Sequence, residues 1–387
     1  MKRISILLLA ASSFAVLACS NDVTPTGDDD GTGSGSGPGS QDEWDTILTS
    51  RVTDYNAALR IASLRLNGDM PSATEIKQVA SAPADGQRAA YETIIHDYLG
   101  RPAFAKEMFY FWRDTLKIGG TPAFDTAPAF AAKMVVENAS YMDMFTKASN
   151  NCPTFSEANS VFTDAECVNG GPKAGVLTNP GVMASFVSNL AFRRVRWVQE
   201  TFDCLRFPAE TGAPVDVGGA VPYTGAWPFT SIASPTNGGG RVNFQDVSSA
   251  ICAGCHQTLN HIAPLFAYYD TAGLYKPAIS VTVPLEGAPL AQLNDWLPPG
   301  DTTAWRYQKP AADLPALGAA MAADPDVAKC GVARVWNWAL GKTDIVDTLQ
   351  EVPAATIQTQ IDAFTQNGYK MKDLIFAVYT SDNFVKF

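Results

Sequence analysis

The sequence has little positive charge and few histidines. Its 28 Lys and Arg residues are outnumbered by 39 Asp and Glu, the formal net charge is −11, and only three histidines are present. Nucleic-acid-binding proteins need a basic face to neutralise phosphates, so we predict no nucleic-acid partner. The small number of histidines also limits the imidazole groups available for acid–base chemistry.

Long apolar runs are missing as well. No stretch reaches the roughly 18 uninterrupted apolar residues that indicate a membrane-spanning helix, so none is predicted. Hydrophobic residues nevertheless make up 46% of the 387 residues. This is enough to bury a sizeable core, and it excludes a chain that is disordered throughout.

The N-terminus is typical of a targeting segment. Lys2 and Arg3 form a basic start, residues 4–17 are largely apolar, and small residues precede Cys19. This order resembles the lipobox of bacterial lipoproteins, in which Cys19 becomes the lipid-modified first residue. Ser20 in the next position favours the outer membrane under enteric sorting rules. We therefore predict a cell-envelope lipoprotein of the outer membrane, anchored through Cys19. An ordinary secretory signal with an incidental cysteine is the alternative.

Most of the remaining chain shows helical periodicity. Apolar residues recur at spacings of three and four, which predicts amphipathic helices, and Ser72 with Glu75 forms a capping-box pattern. The first apolar face comprises Leu48, Val52, Tyr55, Leu59 and Ala62. Asn179 followed by Pro180 is typical of an N-cap with proline in the first turn, and it predicts a helical stretch that runs through Trp197 to Cys204. Later in the chain, Ile279, Val281 and Val283 alternate with polar residues and predict a short hairpin near Gly287.

One motif carries recognisable chemistry. Cys252, Cys255 and His256 form the C-x-x-C-H sequence to which c-type haem is attached. On a helix, positions i, i+3 and i+4 share a face. Two thiols can therefore bind the haem vinyl groups while the adjacent imidazole reaches the iron. The motif predicts one covalent haem c with His256 as its proximal iron ligand.

Two other uses of the motif fit the sequence less well than haem attachment does. A zinc site needs further ligands, and the sequence has neither a second C-x-x-C nor a His pair at finger spacing. A redox-active disulfide is typical of a strand-to-helix junction, whereas a Pro- and Gly-rich stretch precedes this motif. Haem attachment remains the favoured interpretation.

Four cysteines remain after lipidation and haem attachment: Cys152, Cys167, Cys204 and Cys330. An exported protein meets an oxidising compartment, where such cysteines form disulfides. Four cysteines allow three pairings, and all three stay open at this point. We favour Cys152–Cys167, which would close an irregular loop, together with Cys204–Cys330, which would tie the middle of the chain to its end.

The haem segment resembles that of the planctomycete-type cytochrome c proteins, exported bacterial proteins built from domains of unknown function. Their pattern is C-x-x-C-H-x-x-I-D-P-x-G followed by E-x-F-D-x-x-G. Similar segments here are residues 64–75, 174–180, 194–204, 252–260, 269–273, 330–342 and 381–384. The resemblance covers most of the chain after residue 60. It implies haem at the motif and structural roles for Cys204 and Cys330.

The chain departs from that pattern near the haem. Asn260 and His261 replace the Asp-Pro pair, Ala267 replaces an acidic residue, and Lys342 replaces an arginine. The family's carboxylate beside the haem ligand thus has no direct counterpart here.

The sixth iron ligand decides between electron transfer, which uses a filled position, and binding or catalysis at an open one. Met321, 65 residues after His256, is our preferred distal ligand. Met183 and Met371 are alternative candidates for the distal ligand. The sequence around each of the three methionines is also typical of an ordinary core methionine. Among the histidines, His261 lies only five residues after His256, too close to reach the opposite face of the same haem. His96 could be the distal ligand only if the N-terminal helices packed over the haem.

Together these features predict a mainly α fold, with a helical N-terminal domain before a helical cytochrome-c-like domain that has a small β insertion. We predict a monohaem lipoprotein that passes single electrons to redox partner proteins, at the outer membrane or in the periplasm. There are two alternatives. One is a haem enzyme of peroxidase or oxygenase type with an open distal site, and the other is an envelope interaction protein in which the haem is structural. The predicted segments are a signal peptide (1–18), a flexible acidic linker (19–43), the N-terminal domain (44–147), a cysteine-containing loop (148–178) and the haem domain (179–387).

Overall fold

Helices dominate the structure, which confirms the predicted mainly α fold. The computed structural model describes residues 46, 49–205, 250–283, 289–297, 299–306, 309–341 and 352–387. Residues 52–387 form one unit and residues 1–51 a separate one. The predicted signal peptide, Cys19 and the linker lie outside the described residues. Within the described ranges no helix has the length and hydrophobicity needed to cross a membrane.

The described residues contain fourteen α-helices and two short antiparallel strand pairs. The helices are α1 (Tyr55–Leu66), α2 (Ala73–Ala80), α3 (Gln87–Tyr98), α4 (Pro102–Leu116), α5 (Pro122–Val136), α6 (Asp143–Thr146), α7 (Pro180–Ser185), α8 (Phe192–Phe202), α9 (Ala250–Phe266), α10 (Leu314–Ala322), α11 (Pro325–Ala339), α12 (Ala354–Gln366), α13 (Met371–Tyr379) and α14 (Asp382–Val385). The strand pairs are β1 (Thr154–Ser156) with β2 (Val161–Thr163), and β3 (Ala304–Trp305) with β4 (Lys309–Pro310).

Helix α1 begins later than its apolar stripe predicted. The side chain of Asp54 accepts hydrogen bonds from the backbone N–H groups of Asn56 and Ala57, which fixes the start of the helix at Tyr55. Val52 is 68% exposed, and its N–H donates to the carbonyl of Phe387. Its assignment to the helix face was therefore wrong, because the cap and the pairing with the C-terminus override the spacing. The capping box at Ser72 is confirmed.

Helices from both ends of the chain share one hydrophobic core. The Trp112 ring of α4 stacks on Tyr141 at 6.4 Å, and Tyr141 in turn lies 5.9 Å from Phe364 of α12. Phe111 of α4 lies 5.2 Å from Trp338 of α11. Elements on either side of residues 148–178 therefore pack together in the unit 52–387, while the predicted boundaries at 147 and 179 stay predictions.

The segment 148–178 contains more regular structure than its sequence indicated. Strands β1 and β2 form a hairpin in which Phe155 lies opposite Phe162, and Phe109 packs 4.8 Å from Phe155. The Cys152–Cys167 disulfide lies just outside the two strands, with its Cα atoms 4.9 Å apart. Strands of three residues are too short for alternation to reveal.

The helical stretch predicted from Asn179 to Cys204 is divided in two. Asn179 caps α7, and Pro180 occupies its first turn as predicted. The chain then turns through Leu190 and Ala191, which have left-handed φ values of 54° and 57°, before α8 begins. The Cys204–Cys330 disulfide joins the end of α8 to α11. Both disulfides are the pairings that we favoured from the sequence.

The small β insertion after the haem motif is confirmed. Strands β3 and β4 pair there, and a single antiparallel bridge joins Thr282 to Leu290. The predicted turn residue Gly287 lies outside the described residues.

Candidate haem-binding site

Helix α9 carries the whole C-x-x-C-H motif. Cys252, Cys255 and His256 all lie within Ala250–Phe266. Their backbone positions therefore share one helical face, as attachment of two thiols and one imidazole to the same porphyrin requires. The side chains of the two cysteines are outside the described part of the structure.

The His256 imidazole is half-buried, and its neighbours orient it. Its Nδ1 lies 3.1 Å from Oδ1 of Asn260, one turn further along α9. The ring of Phe192 on α8 meets it edge to face, with centroids 5.2 Å apart. When Nδ1 carries the proton and donates to Asn260, Nε2 is the nitrogen with a lone pair for a metal.

Burial also sets the charge of this imidazole. Desolvation lowers the pKa of His256 below its ordinary value, and the hydrogen bond to Asn260 only partly offsets this. The ring is therefore neutral at physiological pH. A neutral imidazole is the form that binds iron.

Arg194 on α8 holds the C-terminal end of α9 in place. Its guanidinium donates to the carbonyls of Phe266 at 2.8 Å, Tyr269 at 2.7 Å and Asp270 at 2.9 Å, and also to the carbonyl of Met183. Burial lowers its pKa to about 10, so it stays charged. The sequence offered one signal for this role, an arginine in line with the core positions of an amphipathic helix.

Gln199 is a buried polar residue of the same helix. Its side chain is fully buried, and neither its amide nitrogen nor its oxygen has a partner in the described part of the chain. It lies seven residues after Phe192, so the two share one face of α8. A buried amide without a hydrogen-bond partner lowers the stability of the folded state.

A cluster of ion pairs lies at the C-terminal end of α8. The buried carboxylate of Asp203 accepts two hydrogen bonds of 2.8 Å from the guanidinium of Arg306, which also pairs with Asp326 at 2.6 Å. Burial raises the pKa of Asp203 to about 6 although Arg306 opposes the change. The sequence reasoning missed this cluster because Asp203 and Arg306 are 103 residues apart.

The candidate sixth ligands lie in different elements. Met321 is fully buried in α10, one turn after Gly318, where an added Cβ would lie 2.2 Å from the carbonyl oxygen of Phe145. It therefore lies on the side of α10 that faces α6. Met183 and Met371 are buried in α7 and α13, and His96 is exposed beside Phe376 on α13. None of these roles is tested by the structure, and the distal ligand stays a prediction.

The described ranges contain no group of three or more His, Cys, Asp or Glu side chains placed to hold a metal ion. The thiols of Cys252 and Cys255 are not among the side chains described.

No protein-family model matches the chain, and no curated protein or solved structure is significantly similar to it.

Proposed function

We propose that this protein is a monohaem c-type lipoprotein that transfers single electrons within the bacterial cell envelope. The observation that carries the proposal is the C-x-x-C-H motif on one helix, with its histidine half-buried, neutral and oriented by Asn260. The N-terminal lipobox-like segment supports it independently, since haem attachment of this type occurs after export.

The residues present fit a haem. The packing of Phe192 against His256 covers one side of the imidazole, and Asn260 fixes its rotation. When bound, the haem iron supplies one-electron redox chemistry.

Electron transfer is favoured over catalysis because the chain has few acid–base groups for a distal site, with only three histidines in its sequence. The chain's own part in the reaction is then to hold the iron ligand and shield it. Redox partner proteins supply and remove the electron.

Optical spectroscopy of the purified lipoprotein tests this function. We expect a reduced-minus-oxidised spectrum of low-spin haem that carbon monoxide leaves unchanged. His256→Ala removes the low-spin spectrum, whereas the control Arg60→Gln, at an exposed position of α1, retains it. A high-spin haem that binds carbon monoxide would instead favour an enzyme, and a spectrum without haem bands would refute the proposal.

A further inference from the structure

A cavity of about 340 Å³ opens over the Cys152–Cys167 disulfide. Both cysteines contribute to its lining, together with Phe124 of α5 and Pro180 of α7. The two cysteine residues are only 7% and 5% exposed. The cavity is therefore the route by which a molecule in solution reaches the disulfide.

The lining of this cavity is mostly apolar. Val168, which forms part of it, is 86% exposed. Among the described lining residues only Glu166 is charged, and its carboxylate forms an ion pair with Lys173. The cavity therefore carries no unbalanced charge, and it fits a thiol group on an apolar surface better than a small anionic thiol.

Asn179 places a hydrogen-bond donor on one of the two sulfur atoms. Its side chain is fully buried, and its Nδ2 lies 3.3 Å from Sγ of Cys152 but 4.0 Å from Sγ of Cys167. The same nitrogen also donates to Oγ1 of Thr126 at 3.0 Å. An N–H donor stabilises a thiolate. Cys152 is therefore the sulfur better able to leave with the bonding electron pair when the disulfide is attacked.

A second buried amide lies beside the other cysteine. Oδ1 of Asn151 accepts a 3.3 Å hydrogen bond from the backbone N–H of Cys167. Asn151 is fully buried, and its Nδ2 has no acceptor in the described part of the chain. An unpaired buried donor lowers the stability of the oxidised form. A thiolate formed by reduction would be a better acceptor for it than a disulfide sulfur.

The Cys204–Cys330 disulfide has different surroundings. Sγ of Cys330 faces the carbonyl oxygen of Thr201 at 3.7 Å. A disulfide sulfur has no hydrogen to donate, so the negative end of this carbonyl opposes the formation of a thiolate at Cys330. The surroundings of the two disulfides thus favour reduction of Cys152–Cys167.

We propose that Cys152–Cys167 is a redox-active disulfide, reduced through this cavity by a dithiol partner whose thiols lie on an apolar surface. The site is built from α5, α7 and the segment 148–178. It rests on neither the haem nor the proposed electron transfer, and it adds a thiol–disulfide exchange activity to the protein.

The exchange takes place in two steps. A thiolate of the partner attacks Sγ of Cys167, a bond forms between these two sulfurs, and Cys152 leaves with the electron pair as a thiolate that accepts from Asn179. The partner's second thiolate then attacks the partner sulfur of this mixed disulfide, and Cys167 leaves with the electron pair. Both cysteines take up a proton from water. The partner is oxidised by two electrons to a disulfide, and Cys152–Cys167 is reduced to two thiols.

Graded reduction of the full-length purified protein with dithiothreitol, under native conditions, tests the site. Alkylation followed by peptide mass analysis identifies which cysteines have been released. We expect Cys152 and Cys167 to be alkylated about tenfold faster than Cys204 and Cys330, the usual effect of a hydrogen bond to a charged group. Exposure alone predicts the opposite order, because Cys204 is half-buried whereas Cys152 and Cys167 are buried.

A variant of Asn179 tests the donor. Asn179→Ser keeps a side-chain oxygen that can cap α7 but removes the N–H group from Sγ of Cys152. It is expected to slow reduction of Cys152–Cys167 about tenfold. Asn159→Ser is the matched control, since Asn159 is exposed in the same segment, and it leaves the rate unchanged.

Three results would overturn the proposal. Release of all four thiols at one rate, or of Cys204 and Cys330 first, would make Cys152–Cys167 a purely structural disulfide. Reduced glutathione, an anionic monothiol, is expected to act more slowly than dithiothreitol at equal thiolate concentration, and equal rates would refute the dithiol partner. A rate unaffected by Asn179→Ser would refute the role of the amide. If that variant does not fold, the order of release in the wild type decides alone.

Discussion

At the scale of single residues, Asn260 is the best-placed partner of the candidate haem ligand. It is 2% exposed, and its Oδ1 lies 3.1 Å from Nδ1 of His256. It occupies the position at which the cytochrome family that the sequence resembles has an aspartate. An amide accepts a weaker hydrogen bond than a carboxylate does. Asn260 therefore orients the imidazole, and in the proposed haem site it would leave His256 a weaker electron donor to the iron than an aspartate would.

Substitution of Asn260 is expected to change the midpoint potential in opposite directions. Asn260→Asp makes the imidazole more basic, stabilises the oxidised iron and lowers the potential. Asn260→Leu removes the hydrogen bond and raises it. Redox titration of the three proteins measures both shifts. Equal potentials in all three would show that Asn260 does not act on the iron ligand.

Asp203 links protein stability to pH. Burial raises its pKa from the ordinary 3.8 to about 6, and the bond to Arg306 does not compensate for the lost solvation. The folded state therefore binds this proton more tightly than the unfolded chain. The resulting stabilisation is complete below pH 3.8 and is lost as pH rises to about 6.

We expect this loss to distinguish wild type from Asp203→Asn. Between about pH 4 and pH 6, the free energy of unfolding of the wild type falls by about 2–3 kcal/mol relative to the variant. Urea titrations at several pH values across this interval measure the difference. Parallel pH profiles would contradict the raised pKa of Asp203.

At the scale of elements, α9 depends on a guanidinium from α8. Five N–H···O bonds from Arg194 reach backbone carbonyls of the segment 266–270 and of Met183. Lysine has three donors on one nitrogen and cannot reproduce this fork. Arg194→Lys is expected to lower the free energy of unfolding by about 2–4 kcal/mol, through unpaired buried carbonyls.

Chemical denaturation measures this loss. Arg193→Lys is the neighbouring control, and because Arg193 is exposed its effect is expected to stay within about 0.5 kcal/mol. If the two variants were equally stable, Arg194 would not be what holds the end of α9.

The two disulfides are expected to differ in their contribution to the free energy of unfolding. Cys204–Cys330 closes a loop of 126 residues and Cys152–Cys167 one of 15. In the chain-entropy model the longer loop stabilises the fold by about 5 kcal/mol and the shorter by about 3. Paired Cys→Ala variants, compared by urea denaturation, should show the larger loss for Cys204–Cys330. The reverse order would mean that native packing outweighs loop entropy.

The sequence predicted elements where local rules decide them. Helix periodicity, the Ser72 capping box and the Asn179–Pro180 start depend on neighbouring residues and are confirmed. The hairpin of β1 and β2 is too short to show a period. The break at Leu190 and Ala191 requires left-handed backbone that their side chains do not signal. Neither feature could be predicted from local patterns.

The candidate site also combines features that the sequence predicted with features that it did not. The motif on α9 was recognisable because covalent attachment demands a fixed spacing, and the contact of His256 with Asn260 follows from their separation of four. Arg194 reaches carbonyls 72 to 76 residues away. That contact depends on how α8 packs on α9, and the spacing of residues in the sequence does not indicate this packing.

At the scale of the whole molecule, one helical unit, residues 52–387, contains the candidate haem motif. Aromatic contacts between α4, α11 and α12 join the two ends of the chain in one core. The Cys204–Cys330 disulfide ties the middle of the chain to its C-terminal part, and Cys152–Cys167 closes a local loop. This arrangement would give a covalently attached cofactor a rigid support, and the acidic surface implied by the net charge of −11 would favour basic redox partners.

The intact mass of the mature protein, measured under denaturing conditions, tests the central claim most directly. We predict the mass of the polypeptide from Cys19 onward with its lipid, plus that of one haem, which denaturation does not release. The double variant Cys252→Ala/Cys255→Ala is predicted to lose the haem mass and keep the lipid. A wild-type mass explained by amino acids and lipid alone would contradict the assignment of a c-type haem.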